Sequence, residues 1–250
     1  MKNAVLSGVR QISWIRIALT VVVMIVLICF SSMEKIMQTF PSPALLSPGF
    51  HENLLLNALA SDTVTSFLPV LAVLPFAGSY VDDVKSKFAR FFCIRSSYHT
   101  YTFSRIIVCF LSGGFTILLG ALISWAVASL VFLPMEKISD VPLESTEKLI
   151  QMCELLFLSG GLWAVVGMSM STLMESKYIA YASPFVVYYM LVILFERYFP
   201  NLFIIYPKQW ISPSEYWPFG TLGAAVLMIE ITLIFGAMFV VKAERRLQQL

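Results

Sequence analysis

Residues 106–135 read IIVCFLSGGFTILLGALISWAVASLVFLPM, a run without a single charge between Arg105 and Glu136. A helix needs about 20 mostly apolar residues to cross the hydrocarbon core of a bilayer. This run exceeds that length. Reading outward from it, charged residues bracket five further candidates. They are 17–33 (Arg16 to Glu34), 63–81 (Asp62 to Asp82), 155–174 (Glu154 to Glu175), 178–195 (Lys177 to Glu196) and 216–241 (Glu215 to Lys242). The last is interrupted once, by Glu230. The expected fold is all-α: a polytopic membrane protein with six transmembrane helices, forming one transmembrane domain over residues 1–250.

Composition supports this class. Apolar residues make up 58% of the chain and charged residues 13%, where soluble domains carry about 25% charged residues. Mean hydropathy is +0.81. A water-soluble fold has no place for so much apolar surface. Six spans put both termini on one side, and positively charged loops favour the cytoplasm. With the termini inside, 12 of the 17 Lys and Arg residues fall on inner segments, from Lys2 and Arg10 to Arg245 and Arg246. Lys35, Lys137, Lys148, Arg197 and Lys208 fall outside, among ten acids. The first apolar run follows basic residues as a secretory signal would, but no small-residue cleavage site follows it. It reads as a retained membrane helix.

Residues 1–15 read as an amphipathic helix lying in the membrane interface. Val5, Leu6, Val9 and Ile12 fall on one side and Asn3, Ser7, Arg10 and Trp14 on the other. A frayed basic terminus is the competing reading. The outer loop 34–62 contains Pro41, Pro43 and Pro48 and is expected to start as an irregular segment. Pro69 and Pro75 permit a kink in the second span. In the inner loop, Asp82 or Asp83 can cap a short helix over about 82–94. Val84, Phe88, Phe91 and Phe92 then form an apolar stripe between basic flanks. The segment 198–217, with Phe203, Tyr206, Trp210 and Trp217, is too apolar for a free loop and too rich in proline to span. It is expected to be a re-entrant or interfacial hairpin on the outer side.

Few residues carry chemistry. Only two histidines exist, His51 and His99, on opposite sides. No zinc-protease, serine-hydrolase or phosphate-loop motif is present, so the chain is not expected to hydrolyse ATP or to be an enzyme. The four cysteines (Cys29, Cys93, Cys109, Cys153) lack metal-binding or disulfide spacing and read as packing residues, and no metal is expected. Two Leu-Ser-Gly-Gly tetrapeptides, 111–114 and 158–161, match the start of the ABC ATPase signature but lie in apolar spans. They read as helix packing, with Gly113 and Gly120 on one face and Gly160 and Gly167 on another. Glu230, the one charge well inside a span, is a candidate for proton uptake or cation binding, or else a hydrogen-bonded structural group. Glu154 is expected to sit solvated at the outer end of span four.

The arrangement resembles the membrane subunit of a type-2 ABC-transporter permease, over nearly the whole length. The resemblance rests on the interfacial helix, the basic segment after span two and the hairpin before span six. The closest local match is Gly78-Ser79-Tyr80-Val81-Asp82-Asp83-Val84-Lys85-Ser86-Lys87, followed by Arg95-Ser96-Ser97-Tyr98 and Tyr101-Thr102-Phe103-Ser104-Arg105. Lys87 stands at the family's glycine-like position. The resemblance implies a homodimer or heterodimer of permease subunits and two separate cytoplasmic ABC ATPase subunits. ATP and Mg would be held on those ATPases, with no cofactor on this chain. The helix near 82–94 would be the coupling helix, with Asp82, Asp83, Phe88, Phe91 and Phe92 at the ATPase. Phe203, Tyr206, Trp210 and Trp217 would gate the outer mouth. The cargo would be hydrophobic or amphipathic, as for the bacterial plasma-membrane permeases that handle peptide antibiotics, lantibiotic-immunity permeases among them, or export drugs. No nucleic acid partner is implied. The residues themselves leave open a stand-alone secondary transporter using Glu230, or a non-transporting subunit of a membrane complex.

Overall fold

A computed structural model describes residues 2–39, 46–95, 97–137, 144–174, 176–214 and 217–247. Among these residues the chain is helical, with no strand and one isolated bridge, Leu46 to Glu136. The helices are α1 (Lys2–Arg10), α2 (Trp14–Thr39), α3 (Phe50–Leu59), α4 (Asp62–Val73), α5 (Ser79–Lys85) and α6 (Phe88–Arg95), then α7 (Tyr98–Phe132), α8 (Glu144–Met174), α9 (Lys177–Arg197), α10 (Pro207–Ile211) and α11 (Gly220–Leu247). Five of them, α2, α7, α8, α9 and α11, are long and apolar enough to cross a membrane. The count reaches six only if α3 and α4, bent by 65° at their junction, make one span.

The expected second span, 63–81, is therefore not a single helix. Pro75 has no N–H to donate, and its ring crowds the preceding turn. α4 stops at Val73, and the Leu74 N–H turns to the Leu71 carbonyl at 3.4 Å. After a short turn, α5 resumes at Ser79. The outer loop also differs from expectation, because α2 continues past Glu34 and Lys35 to Thr39 and α3 is a helix packed on α2, α7 and α8. Pro41 and Pro43 lie outside the described residues, as do Glu215 and Tyr216 at the expected start of the last span. α11 begins at Gly220.

Polarity is inverted relative to a water-soluble protein. Leu19, Val26 and Phe30 on α2 and Leu222, Leu233 and Ile234 on α11 are exposed, while Thr20, Ser112, Thr116 and Ser169 are buried. The buried hydroxyls are satisfied by carbonyls one turn back, as Thr116 is by Ser112 at 2.6 Å. An exterior this apolar requires apolar surroundings.

The centre is the crossing of α7 and α8. A Cβ on Gly113 would lie 2.7 Å from the Gly160 carbonyl oxygen and 2.6 Å from Ala164 Cβ. The backbones thus approach as small residues allow. The two expected glycine faces each divide between neighbours: Gly120 receives Met24 of α2, and Gly167 receives the Ala180 carbonyl of α9. α1 packs on α7 through Ala4 and Gly8, the latter against Val108, and leaves Leu6 and Val9 exposed. Of the expected apolar side, Val5 and Ile12 pack against the core while Leu6 and Val9 do not, so the packed side is shifted toward Ala4 and Gly8.

Candidate functional site

One end of the bundle gathers Arg10, Arg16, Lys85, Arg90, Lys177, Lys242 and Arg245. Beneath this basic end lies a buried polar node. Arg105 Nη2 meets Asp83 Oδ2 at 2.5 Å, with side chains 2% and 4% exposed. The Tyr101 hydroxyl donates to the same Asp83 oxygen at 2.6 Å, and Gln11 Nε2 donates to Oδ1 at 3.3 Å. Arg105 Nη1 donates to Gln11 Oε1 at 2.6 Å. The guanidinium also lies near the rings of Phe76, Phe88 and Tyr101, at 5.6, 5.9 and 5.2 Å. Burial raises the Asp83 pKa above the usual carboxylate value, against the pull of Arg105 and its two hydrogen bonds. The node joins the chain after α1 to α5 and α7. The sequence singles out Asp83 as a site residue, whereas Tyr101 and Arg105 enter only through the local family match and Gln11 not at all, because their proximity depends on tertiary packing.

Asp82 and Asp83 do not cap the helix over 82–94. They lie within α5, whose N-terminal neighbour is Gly78, and a second helix, α6, follows. Lys87 between them has φ 60°, in the left-handed region that glycine occupies without strain. That break splits the expected stripe. Phe88 and Phe92 turn inward: their rings lie 6.1 Å apart, and Phe92 lies 5.7 Å from Tyr101. Ala89 is buried, while Phe91 and Ile94 are 67% and 74% exposed. Of the three phenylalanines expected at a partner, only Phe91 projects. Asp82 points elsewhere, to Lys177 Nζ at 2.5 Å. The neighbouring Cys93 thiol is pushed up to about 11 by burial and by Glu244, and stays protonated at neutral pH.

At the other end, the aromatic segment folds back against α8 and α9. Trp210 is buried and stacks on Trp163 at 5.9 Å, and its indole N–H donates to the Ile204 carbonyl at 2.8 Å. Tyr206 stacks on Phe195 at 4.5 Å, with Phe203 beside the same ring at 6.0 Å. Trp217 is buried too. Lys208 Nζ reaches Asp62 Oδ1 at 2.5 Å and pins the segment to the start of α4. Nearby, the Glu136 carboxylate accepts from the backbone N–H groups of Gly49 and His51 and meets His51 Nδ1 at 2.7 Å. Glu52 accepts from Ser145 and Thr146, tying α3 to α8.

Two carboxylates remain. Glu230 lies on the exposed side of α11 and makes no hydrogen bond or ion pair among the described residues. It lines a groove of about 490 Å³ whose other walls are apolar, including Trp217, Leu222 and Val226. Among the described residues nothing hydrogen-bonds it as a structural glutamate would be. Glu154 is exposed and lies within α8 rather than at its start. α8 begins ten residues earlier, and Glu154 lines a groove of about 690 Å³ with Leu118, Leu122, Ile150 and Phe157. No group of three His, Cys, Asp or Glu among the described residues could hold a metal ion. No model of a known protein family matches the chain, and neither does any curated protein sequence.

Proposed function

We propose that this chain is the membrane permease subunit of an ABC transporter of the type-2 class. It pairs with a second permease subunit and moves a hydrophobic or amphipathic cargo, with energy supplied by separate cytoplasmic ATPases that hold ATP and Mg. The basic end then faces the cytoplasm, in keeping with the charge asymmetry of membrane proteins. The observation that carries the reading is α6. It offers Phe91 and Ile94 to a partner, while its other side is fastened through Phe88 and Phe92 to the rings around Arg105. A push on the exposed side reaches α7 directly, and through the node it reaches α5 and the chain beside α1. An ATPase would shift the permease only through contacts that differ between two states, and a rigid, half-exposed helix is suited to supply them. The hairpin with Phe203, Tyr206, Trp210 and Trp217 serves as the outer gate.

The test is co-expression with the ATPase encoded beside the gene, followed by purification of the complex. Co-purification that is lost in Phe91→Ala/Ile94→Ala supports docking on α6. Absence of any ATPase, together with ion-driven uptake abolished in Glu230→Gln, replaces the reading with a stand-alone secondary transporter.

A further inference from the structure

The groove containing Glu230 has three properties that belong together. Its walls are apolar, formed by Ile204, Trp217, Phe219, Leu222, Val226 and Leu227, and its volume of about 490 Å³ lies within the range of small-molecule sites, about 300–1,000 Å³. Its one charge is a carboxylate ten residues into α11, about 15 Å along the helix from Gly220. Its mouth is an aromatic turn held in an unusual backbone: Phe219 has φ 60° and Gly220 φ 57°. A non-glycine residue resists that conformation, and such outliers gather at functional sites. The Phe219 side chain, 90% exposed, gains no burial from it. Gly223 lets the turn close onto α11, since a Cβ there would lie 2.0 Å from the Pro218 carbonyl oxygen.

A carboxylate on an apolar helix face needs a counter-charge or a hydrogen-bonding partner. The described long helices place no free cation as far from a helix end as Glu230. In the five long helices, every Lys, Arg and His lies within eight residues of a helix end, and Arg105 is already bound to Asp83. The described long helices thus supply no counter-charge for Glu230, and an external cation can supply one. The rest of the groove asks for an apolar body, and aromatic rings at the mouth suit one that is cationic or π-rich.

We propose that this groove is a binding site for an amphipathic organic cation, its charged end at Glu230 and its apolar body against Leu222, Trp217 and Phe219. As a ligand site it stands without the transport reading; as the definition of the cargo class it rests on that reading.

Binding of radiolabelled tetraphenylphosphonium to the full chain in nanodiscs, without any ATPase, tests the site. Its near-isosteric anion, tetraphenylborate, is measured in parallel. The expected result is saturable cation binding that weakens at least tenfold in Glu230→Gln, with no saturable anion binding. Val226→Trp fills the groove but keeps the carboxylate, and is expected to give the same loss if Glu230→Gln folds poorly. Glu154→Gln is expected to bind as the wild type does. Equal affinity in the wild type and Glu230→Gln, retention of the anion, or a loss that follows Glu154→Gln instead would overturn the proposal. So would a Leu222→Cys cross-link between two copies that forms quantitatively and leaves cation binding unchanged, since the second copy would then be the occupant. Because no ATPase is present, failure here leaves docking on α6 untouched, and failure of docking leaves this site standing.

Discussion

Asp83 and Arg105 meet at 2.5 Å with both side chains almost fully buried, one on the short α5 and the other two turns into α7. A buried ion pair adds little net stability over a well-packed apolar pair. Removing one partner, however, strands a charge at a cost of about 3–5 kcal/mol. Arg105→Met is thus expected to lower thermal stability in detergent sharply, and Asp83→Asn to do so to a similar degree. The double variant is expected to lose clearly less than the sum, with a coupling of about 1–3 kcal/mol. Melting curves of the four proteins check this. Additive losses would mean that the two residues act independently.

The inward and outward phenylalanines of α6 separate stability from docking. Phe92 packs on Tyr101 and Phe88, so Phe92→Ala is expected to cost about 1–3 kcal/mol, less than a fully buried Phe. Phe91→Ala and Ile94→Ala remove exposed side chains and are expected to stay within about 0.5 kcal/mol of wild type. A melt of each variant decides it. A large loss in Phe91→Ala would show that its ring is packed within the subunit.

At the opposite end, two of the contacts that hold the aromatic segment differ in strength. Trp210→Ala removes a buried stack and is expected to cost about 3–5 kcal/mol. Trp210→Phe keeps a ring but leaves the Ile204 carbonyl without its donor, a loss of about 1–3 kcal/mol. Lys208→Met breaks a pair whose aspartate is largely exposed, and is expected to cost at most about 1 kcal/mol. Its hydrogen bond to Asp62 holds the Lys208 ammonium above the ordinary lysine value. A raised cationic group contributes stability below its unfolded pKa and loses it as pH rises through the folded one. The difference between Lys208→Met and wild type is therefore expected to stay constant from roughly pH 6 to pH 9 and to vanish only above the ordinary lysine value of about 10.4. Melts at several pH values read this directly.

The helical class and the long runs around 106–135 were legible because apolar length is a local property. The broken second span was half legible: Pro69 and Pro75 were visible, but only packing decides that the first stays inside α4 while the second ends the ladder. Charges bound an apolar run but not a helix: α8 starts at Glu144, ten residues before Glu154, because a helix can extend beyond its apolar run and carry charges with it. The stripe over 84–92 needs one continuous helix, but the left-handed Lys87 parts Val84 on α5 from the phenylalanines on α6, and within α6 Phe88 and Phe92, four residues apart, share the inward side while Phe91 projects. In the sequence Arg105 reads as a loop charge at the edge of an apolar run. Its burial among Asp83, Gln11 and three aromatic rings depends on contacts far apart in sequence, which no local pattern records.

The glycines offer the sharpest contrast between packing and propensity. In Gly113→Ala the new methyl group would lie 2.7 Å from the Gly160 carbonyl oxygen and 3.0 Å from that of Ala72, and backbone atoms of two other helices cannot step aside as a flexible side chain would. Overpacking of this kind typically costs about 1–3 kcal/mol and more where backbones must part, so Gly113→Ala is expected at or above the top of that range. Gly236, also inside a long helix, has nothing nearer than 3.8 Å to a new Cβ, and that neighbour is the side chain of Ile106. There the better helix propensity of alanine is unopposed, and Gly236→Ala is expected to gain about 0.5–1 kcal/mol. Melting temperatures of the two variants should move in opposite directions. If both fall, the α11 face near Ile106 is occupied by something the isolated chain does not carry, and Gly236 would then be a contact position for it.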